Sequence, residues 1–238
     1  MYDLVILVIG SQGEVYDELV KLYWKPFINQ VRQKYPDKVK IFLLYGDSYN
    51  KSLEVKSNSV LQFPMKETMI PGILDKTLLA FQHILKKLDF RYVFRTNLST
   101  FIDIDKLLCK IEEFNKDLYV YAGHIHFHIE KLRFIGGDGM LLNWRTVNYI
   151  FKYRKKLNRK LIDDVAIGYF MKKRCEIKWI TRFVFNRYDE CNGEEEFQRK
   201  LEDDYKKAIQ EGHCRFRIKN SKDRKLDIKI FKYLIQKK

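Results

Sequence analysis

The sequence predicts an α/β sandwich built on a mainly parallel central sheet. Three observations carry that reading. Unbroken apolar runs such as Leu4–Ile9 suit strands buried on both faces. Segments with apolar residues at helical spacing alternate with them, and glycine- or aspartate-bearing turns close several of the runs. The chain has 238 residues, 46% hydrophobic and 15% aromatic, which is ample for a folded core and excludes a disordered chain. No linker rich in Pro, Gly or Ser and no internal repeat divides it. One domain is the economical reading, with residues 1–190 as the main body and 191–238 as a C-terminal extension packed on it.

The elements follow in order. Asp3–Gly10 is a continuous apolar run ending in Gly10-Ser11-Gln12-Gly13, as a central parallel strand and its loop would be. Val15–Tyr35 sets Val15, Leu19, Leu22, Tyr23, Phe27 and Val31 at helical spacing and stops before Pro36. Val39–Tyr45 is a second buried strand, closed by Gly46-Asp47-Ser48. Pro71 opens a helix to about Leu88, with Ile73, Leu74, Leu78, Phe81 and Ile84 on one side. Arg91–Arg95 is a third strand, and Asp103 or Asp105 caps a helix running to about Phe114.

Leu118–Ala122 and His124–Ile129 read as two strands, and Phe134–Asn143 as a glycine turn followed by another. Helices are expected near Trp144–Lys155 and Asp163–Lys173, then short strands at Ile177–Ile180 and Phe183–Phe185. A charged helix at Glu194–Gln210, a strand at Cys214–Ile218 and a helix near Leu226–Ile235 complete the pattern. Ligands of such sheets bind at the carboxyl ends of the strands, which points to the loops after Gly10, Arg95 and Gly136-Gly137.

Charge and cysteine usage narrow the class. With 46 Lys+Arg against 31 Asp+Glu the formal net charge is +15, which admits a polyanionic partner. The lysines are spread along the chain, and no helix-turn-helix, RRM, KH or zinc-finger signature is present. Nucleic acid is therefore not the expected partner, since charge alone supports it. The run Lys152–Lys160 reads as a solvated helix face and loop. Cys109, Cys175, Cys191 and Cys214 form no CxxC pair, which excludes a zinc ribbon and suits reduced thiols in the cytoplasm. No window approaches the roughly 20 apolar residues of a membrane helix, and Leu4–Gly10 lacks the flanks of a signal peptide.

Four segments carry a resemblance: Pro71–Phe81, Tyr92–Leu107, Phe134–Val147 and Ile162–Met171. Their order and spacing resemble the nucleotide-sugar-dependent glycosyltransferases of GT-A fold, in particular the Fringe and β-1,3-galactosyltransferase group. They look still closer to glycosyltransferase domains of large DNA viruses. The resemblance covers roughly Asp3 to Arg187, with a further match near Arg215–Lys219. It implies a GT-A-like, Rossmann-like α/β/α sandwich. The implied activity takes a nucleotide-sugar donor, UDP-linked by expectation, and a glycan or glycoconjugate acceptor. A catalytically inactive glycan-binding or scaffold subunit of the same fold stays open beside it.

The resemblance also implies a site. After the third strand that family places an acidic triplet holding Mn²⁺ or Mg²⁺ on the diphosphate, but Asn97, Leu98 and Ser99 stand here, and uncharged side chains anchor a hard dication poorly. A literal DxD, Asp103-Ile104-Asp105, lies where a helix N-terminus is expected, so capping is favoured over metal binding. Without a metal, Arg217 and Lys219, with Arg215, are candidates to neutralise the diphosphate; a charged edge strand is the competing reading. Asp163 and Asp164 align with the family's acidic pair, and Asp164 is the expected catalytic base, with Asp163 as alternate; helix capping is the plainer alternative for both.

Gly10 and Ser11 are expected near the nucleotide, and Lys76, Arg95, Thr96, Asn97 and Ser99 near the donor. Gly136, Gly137 and Asp138 resemble the family's glycine-rich acceptor loop, where Asp138 is either a sugar ligand or an ordinary turn residue. His124, His126 and His128 alternate and read as cleft-wall or surface residues, because strand neighbours two apart seldom converge on one ion.

Overall fold

A computed structural model of the chain describes residues 1–49, 52–114, 117–128, 132–220 and 223–238. Strand β1 (Tyr2–Ile9) is the apolar run at the start, and its alternation builds the layers. Leu4, Ile6 and Val8 enter one core, while Val5, Leu7 and Ile9 enter another on the opposite face. Helices α1 (Glu14–Leu19) and α2 (Lys25–Lys34) follow, joined by a π-helical turn at Val20–Trp24. The sequence reads as one helix here. Pro26 has no N–H to give and falls in the first turn of α2, just after the widened turn.

Strand β2 (Val39–Gly46) pairs parallel with β1. The short β3 (Glu54–Ser57) and β4 (Val60–Phe63) were not legible as strands, because β3 is exposed throughout and both are only four residues long. Helix α3 (Gly72–Lys87) returns the chain to β5 (Phe90–Asn97), parallel to β1 on its other side. Strand β6 (Thr100–Ile102) and helix α4 (Ile104–Glu112) come next, with the Asp103 carboxylate accepting from Lys106 N at 3.2 Å. Asp103 is thus the N-cap, while Asp105 binds Lys34 Nζ at 2.8 Å and the Tyr35 hydroxyl. The literal DxD serves a helix end and a surface ion pair.

Strand β7 (Tyr121–His128) is continuous where two strands were expected. Ile129, the expected end of the second strand, lies outside the described residues, as do Ser221 and Lys222. Strand β8 (Leu132–Asn143) is also continuous, so Gly136–Gly139 is not a turn. Its pairing with β7 jumps from Ile125↔Ile135 to Gly123↔Met140, leaving four residues of β8 opposite His124 alone. This wide bulge sits beside the end of β5, where Arg95 pairs with Met140. Helix α5 (Trp144–Lys152) is capped by Asn143, and α6 (Asp163–Met171) packs across β8.

Strand β9 (Lys178–Trp179) is shorter than the expected Ile177–Ile180, and β10 (Phe183–Phe185) follows. Helix α7 (Glu194–Gln210), strand β11 (Arg215–Ile218) and helix α8 (Lys225–Gln236) complete the described elements. The main sheet has the order β3-β4-β2-β1-β5-β8-β7-β9, with β3 and β8 antiparallel to their neighbours. One face is covered by α1, α2 and the C-terminal helices, the other by α3, α5 and α6. The result is the expected α/β/α sandwich. A second sheet, β10-β11-β6, caps the carboxyl end of β5. Strand β11 is the central strand of that sheet, which removes the competing reading of a charged edge strand.

Candidate active site

The carboxyl ends of β1 and β5, the bulge of β8, the first turn of α6 and the outer half of β11 converge on a cleft of about 470 Å³. Two buried tyrosine and tryptophan contacts fix the loop after β5. Trp24 Nε1 donates to Leu98 O at 3.0 Å, and Ile102 N donates to the Tyr23 hydroxyl at 2.9 Å. The π turn that places both aromatics thereby braces the rim of the cleft.

Of the residues singled out in the sequence, Ser11, Arg95, Asn97, Ser99, Gly136, Gly137, Asp138, Asp163, Asp164, Arg217 and Lys219 line this cleft. Gly10, Lys76, Thr96 and Arg215 stand behind its wall, all buried. Lys76 was expected at the donor. Its ammonium is wholly enclosed, donating to the Glu67 carboxylate at 2.5 Å and to Gly10 O at 3.0 Å. It ties the loop after β1 to α3, and burial, opposed by Glu67, lowers its pKa. Thr96 Oγ1 donates to Asp138 O at 2.9 Å, fastening the bulge to β5.

Arg215 is the clearest correction. It was expected beside the diphosphate, yet it is fully buried and donates to Gly139 O at 3.0 Å and Ile180 O at 3.3 Å. A Cβ at residue 139 would overlap that guanidinium and lie 2.9 Å from Arg215 Cδ, so only glycine fits. Gly139→Ala is expected to destabilise the fold by about 1–3 kcal/mol, read as a lower urea midpoint with unchanged slope.

The acidic residues divide by partner. Asp163 is 2% exposed and ion-paired with Arg95, whose other terminal nitrogen donates to Gly137 O. Burial raises the Asp163 carboxyl above its ordinary range, and Arg95 holds back part of that rise. Asp164 has no cationic partner among the described residues. Its Oδ2 accepts from Gly137 N at 3.0 Å and its Oδ1 from Val165 N at 2.8 Å, and the side chain faces the cleft. The two neighbours therefore differ in kind: one is spent on structure, the other is held in place by N–H groups with its charge uncompensated.

Asp138 is buried and ion-paired with Arg182, a residue that no sequence pattern marked because it lies between two short strands. Burial pushes the Asp138 carboxyl up, but Arg215, Arg182 and Arg217 outweigh it and keep it below the ordinary range. Asp138 Oδ1 is buried without a hydrogen-bond donor, and Arg215 Nη1 stands 3.8 Å away. His126 lines the cleft and His124 lies behind it against Trp179. Burial, then the charge of Arg182, pushes His124 down to about 4, so it is neutral at ordinary pH. The side chain of His128 lies outside the described residues.

The end of β5 offers few free oxygens to a divalent ion. Asn97 Oδ1 accepts from the Arg217 guanidinium, from Ser99 N at 3.1 Å and from Thr100 Oγ1 at 3.4 Å. Leu98 is buried, and Ser99 Oγ accepts from Arg224 Nη2 at 2.9 Å. The oxygens at this position are committed to cationic and amide donors, a donor set that does not suit a hard divalent ion. Among the described residues no group of three or more His, Cys, Asp or Glu side chains is arranged to hold a metal.

The charge left over has a simple layout. Arg95 and Arg182 are neutralised by Asp163 and Asp138, whereas Arg217 and Lys219 have no ion-pair partner among the described residues. The cleft therefore sets two spare cations on β11 and the turn beyond it against one spare carboxylate at the start of α6.

Comparison with solved structures gives the architecture a precedent. The chain shares its fold with a glycosyltransferase involved in the glycosylation of the major capsid of PBCV-1, at a TM-score of 0.52 and 7% identity over 97% of this chain and 99% of that one. The galactosyltransferase LgtC, solved with donor and acceptor sugar analogues, aligns at a TM-score of 0.45 and 10% identity, covering 98% of this chain and 96% of the other. A197 from STIV aligns at 0.39 and 11% identity over 74% and 81% of the two chains. The first likeness places the chain in the GT-A fold. No family model and no curated protein sequence matches it.

Proposed function

We propose that the protein is a glycosyltransferase that moves a sugar from a nucleotide-activated donor, UDP-linked, to a hydroxyl of a glycan or glycoconjugate. The observation that carries this reading is the charge layout of the cleft at the carboxyl ends of β1 and β5: among the described residues, Arg217 and Lys219 have no ion-pair partner on one wall and Asp164 has none on the other. A transferase of this kind needs both charges, kept apart. The leaving nucleoside diphosphate gains negative charge as its bond to the sugar breaks, and the incoming hydroxyl must lose a proton. The fold supports the reading, since open α/β sheets bind ligands at the carboxyl ends of their strands.

In the proposed reaction the acceptor oxygen bonds to the anomeric carbon as the bond to the diphosphate oxygen breaks. Asp164 takes the acceptor proton, and attack from the side opposite the leaving group inverts the anomeric centre. Ser11 meets the nucleotide at the end of β1. Gly136 and Gly137 bring bare backbone up to the sugar, with Asp138 beside them on the same wall. Four free cysteines suit a reducing compartment, and we place the enzyme in the cytoplasm. Among the described residues no helix is long and apolar enough to cross a membrane.

The test is a panel of UDP- and GDP-sugars incubated with the full chain, scored for release of nucleoside diphosphate with and without simple glycan acceptors. At least one donor is expected to be turned over and to raise the melting temperature in proportion to its concentration. Thermal shift without turnover for any donor would favour the inactive glycan-binding subunit. Steep salt-dependent binding to DNA or RNA with no response to nucleotides would replace the reading.

A further inference from the structure

Resting on that nucleotide-sugar reading, we infer that the chain grips the donor's diphosphate with the side chains of Arg217 and Lys219 and works without a divalent cation. The geometry at the end of β5 carries this. A dication on the diphosphate must be held by anionic or carbonyl oxygens of the protein. Here the first such position is an amide, and its oxygen already accepts from a guanidinium. An ion bound there would have to displace Arg217 and then stand beside it, one positive charge against another. The nearest carboxylate on the bulge, Asp138, is bound to Arg182 and stands in the field of Arg215. The site has been given its positive charge by side chains.

The row along β11 is suited to that work. Arg215, Arg217 and Lys219 fall on one side of the strand, and Phe216 and Ile218 fall on the core side. Burial grades along the row: Arg215 is enclosed, Arg217 half-buried and Lys219 exposed at the mouth. The inner arginine holds the bulge. The middle one spends one terminal nitrogen on Asn97, and its remaining N–H groups have no protein acceptor among the described residues. A planar guanidinium anchored at one corner presents its free edge for two parallel bonds to phosphate oxygens, and the lysine adds a mobile charge beside it. Asn97 thus becomes a positioning residue for Arg217.

The probes are UDP and inorganic pyrophosphate, titrated calorimetrically into the full chain once in EDTA and once in Mn²⁺ or Mg²⁺. The affinities are expected to agree within about twofold across these conditions. Lys219→Ala and Arg217→Ala are each expected to weaken both ligands by about 10- to 100-fold in EDTA. Lys219 is exposed, so its variant folds whether or not the Arg217 variant does. Asn97→Asp, which places a carboxylate against Arg217, is expected to cost about 10-fold in metal-free affinity. Affinity that rises about 10-fold or more with Mn²⁺ or Mg²⁺ overturns the inference and leaves the donor reading standing. Unchanged affinity in the Lys219 and Arg217 variants does the same. Absence of UDP and pyrophosphate binding in every condition overturns the donor reading and the inference together.

Discussion

Asp164→Asn is expected to lower sugar transfer by about 10²- to 10⁴-fold while leaving the dissociation constant for the donor unchanged. Two N–H groups hold the carboxylate in place, Gly137 N at 3.0 Å and Val165 N at 2.8 Å. An asparagine keeps one of these bonds and the shape of the cleft wall, at a stability cost of about 1 kcal/mol for the bond it loses. What it loses is basicity. Asp163 cannot take over, because its carboxylate is enclosed against Arg95. Single-turnover transfer measured beside calorimetric donor binding separates chemistry from binding. A folded Asp164→Asn protein with full turnover would remove Asp164 from the reaction.

The second large effect is on stability. Arg95→Ala is expected to destabilise the fold by about 3–5 kcal/mol, lowering the melting temperature by roughly 10 °C. Arg95 and Asp163 are 3% and 2% exposed, so removing the cation strands a buried carboxylate. It also strips Gly137 O of one donor, leaving it only the Asn97 amide at 3.4 Å. Replacing both partners, as Arg95→Met with Asp163→Leu, is expected to cost less than Arg95→Ala alone, because no buried charge is left unpaired. A single-variant loss below about 1 kcal/mol by urea denaturation would mean that water reaches the pair. Asp163 variants thus fail in stability and Asp164 variants in turnover, which distinguishes two adjacent residues of the same type.

The main sheet was legible because its central strands are buried on both faces and read as unbroken apolar runs, as Leu4–Ile9 does. The helices were legible because their apolar stripes are regular, Glu194–Gln210 to the residue. Strands β3, β4 and β6 were missed because three or four residues give no period to detect. Gly136–Gly139 reads as a turn in any local scheme. It is strand because Arg95, Arg215 and His126 crowd it, and only glycines leave room for them. For the site, the sequence pattern could name Arg215 but not bury it. Burial depends on Gly139 and Ile180, which lie 76 and 35 residues away. Arg182 carried no signal, since its role arises only from its distance to Asp138.

The order in which the cleft is assembled has a consequence for synthesis. Arg217 meets Asn97 across 120 residues, and Arg224 meets Ser99 across 125. A ribosome therefore releases nearly the whole sandwich before the wall that completes it exists. Contacts of such long sequence separation slow folding. Until β11 arrives, β6 and β10 present open edges, and Phe101 and Phe185 lack their contacts with Phe216. A nascent chain paused at that stage is a target for chaperones and a seed for self-association, and a pulse of protease is expected to cut it at those edges.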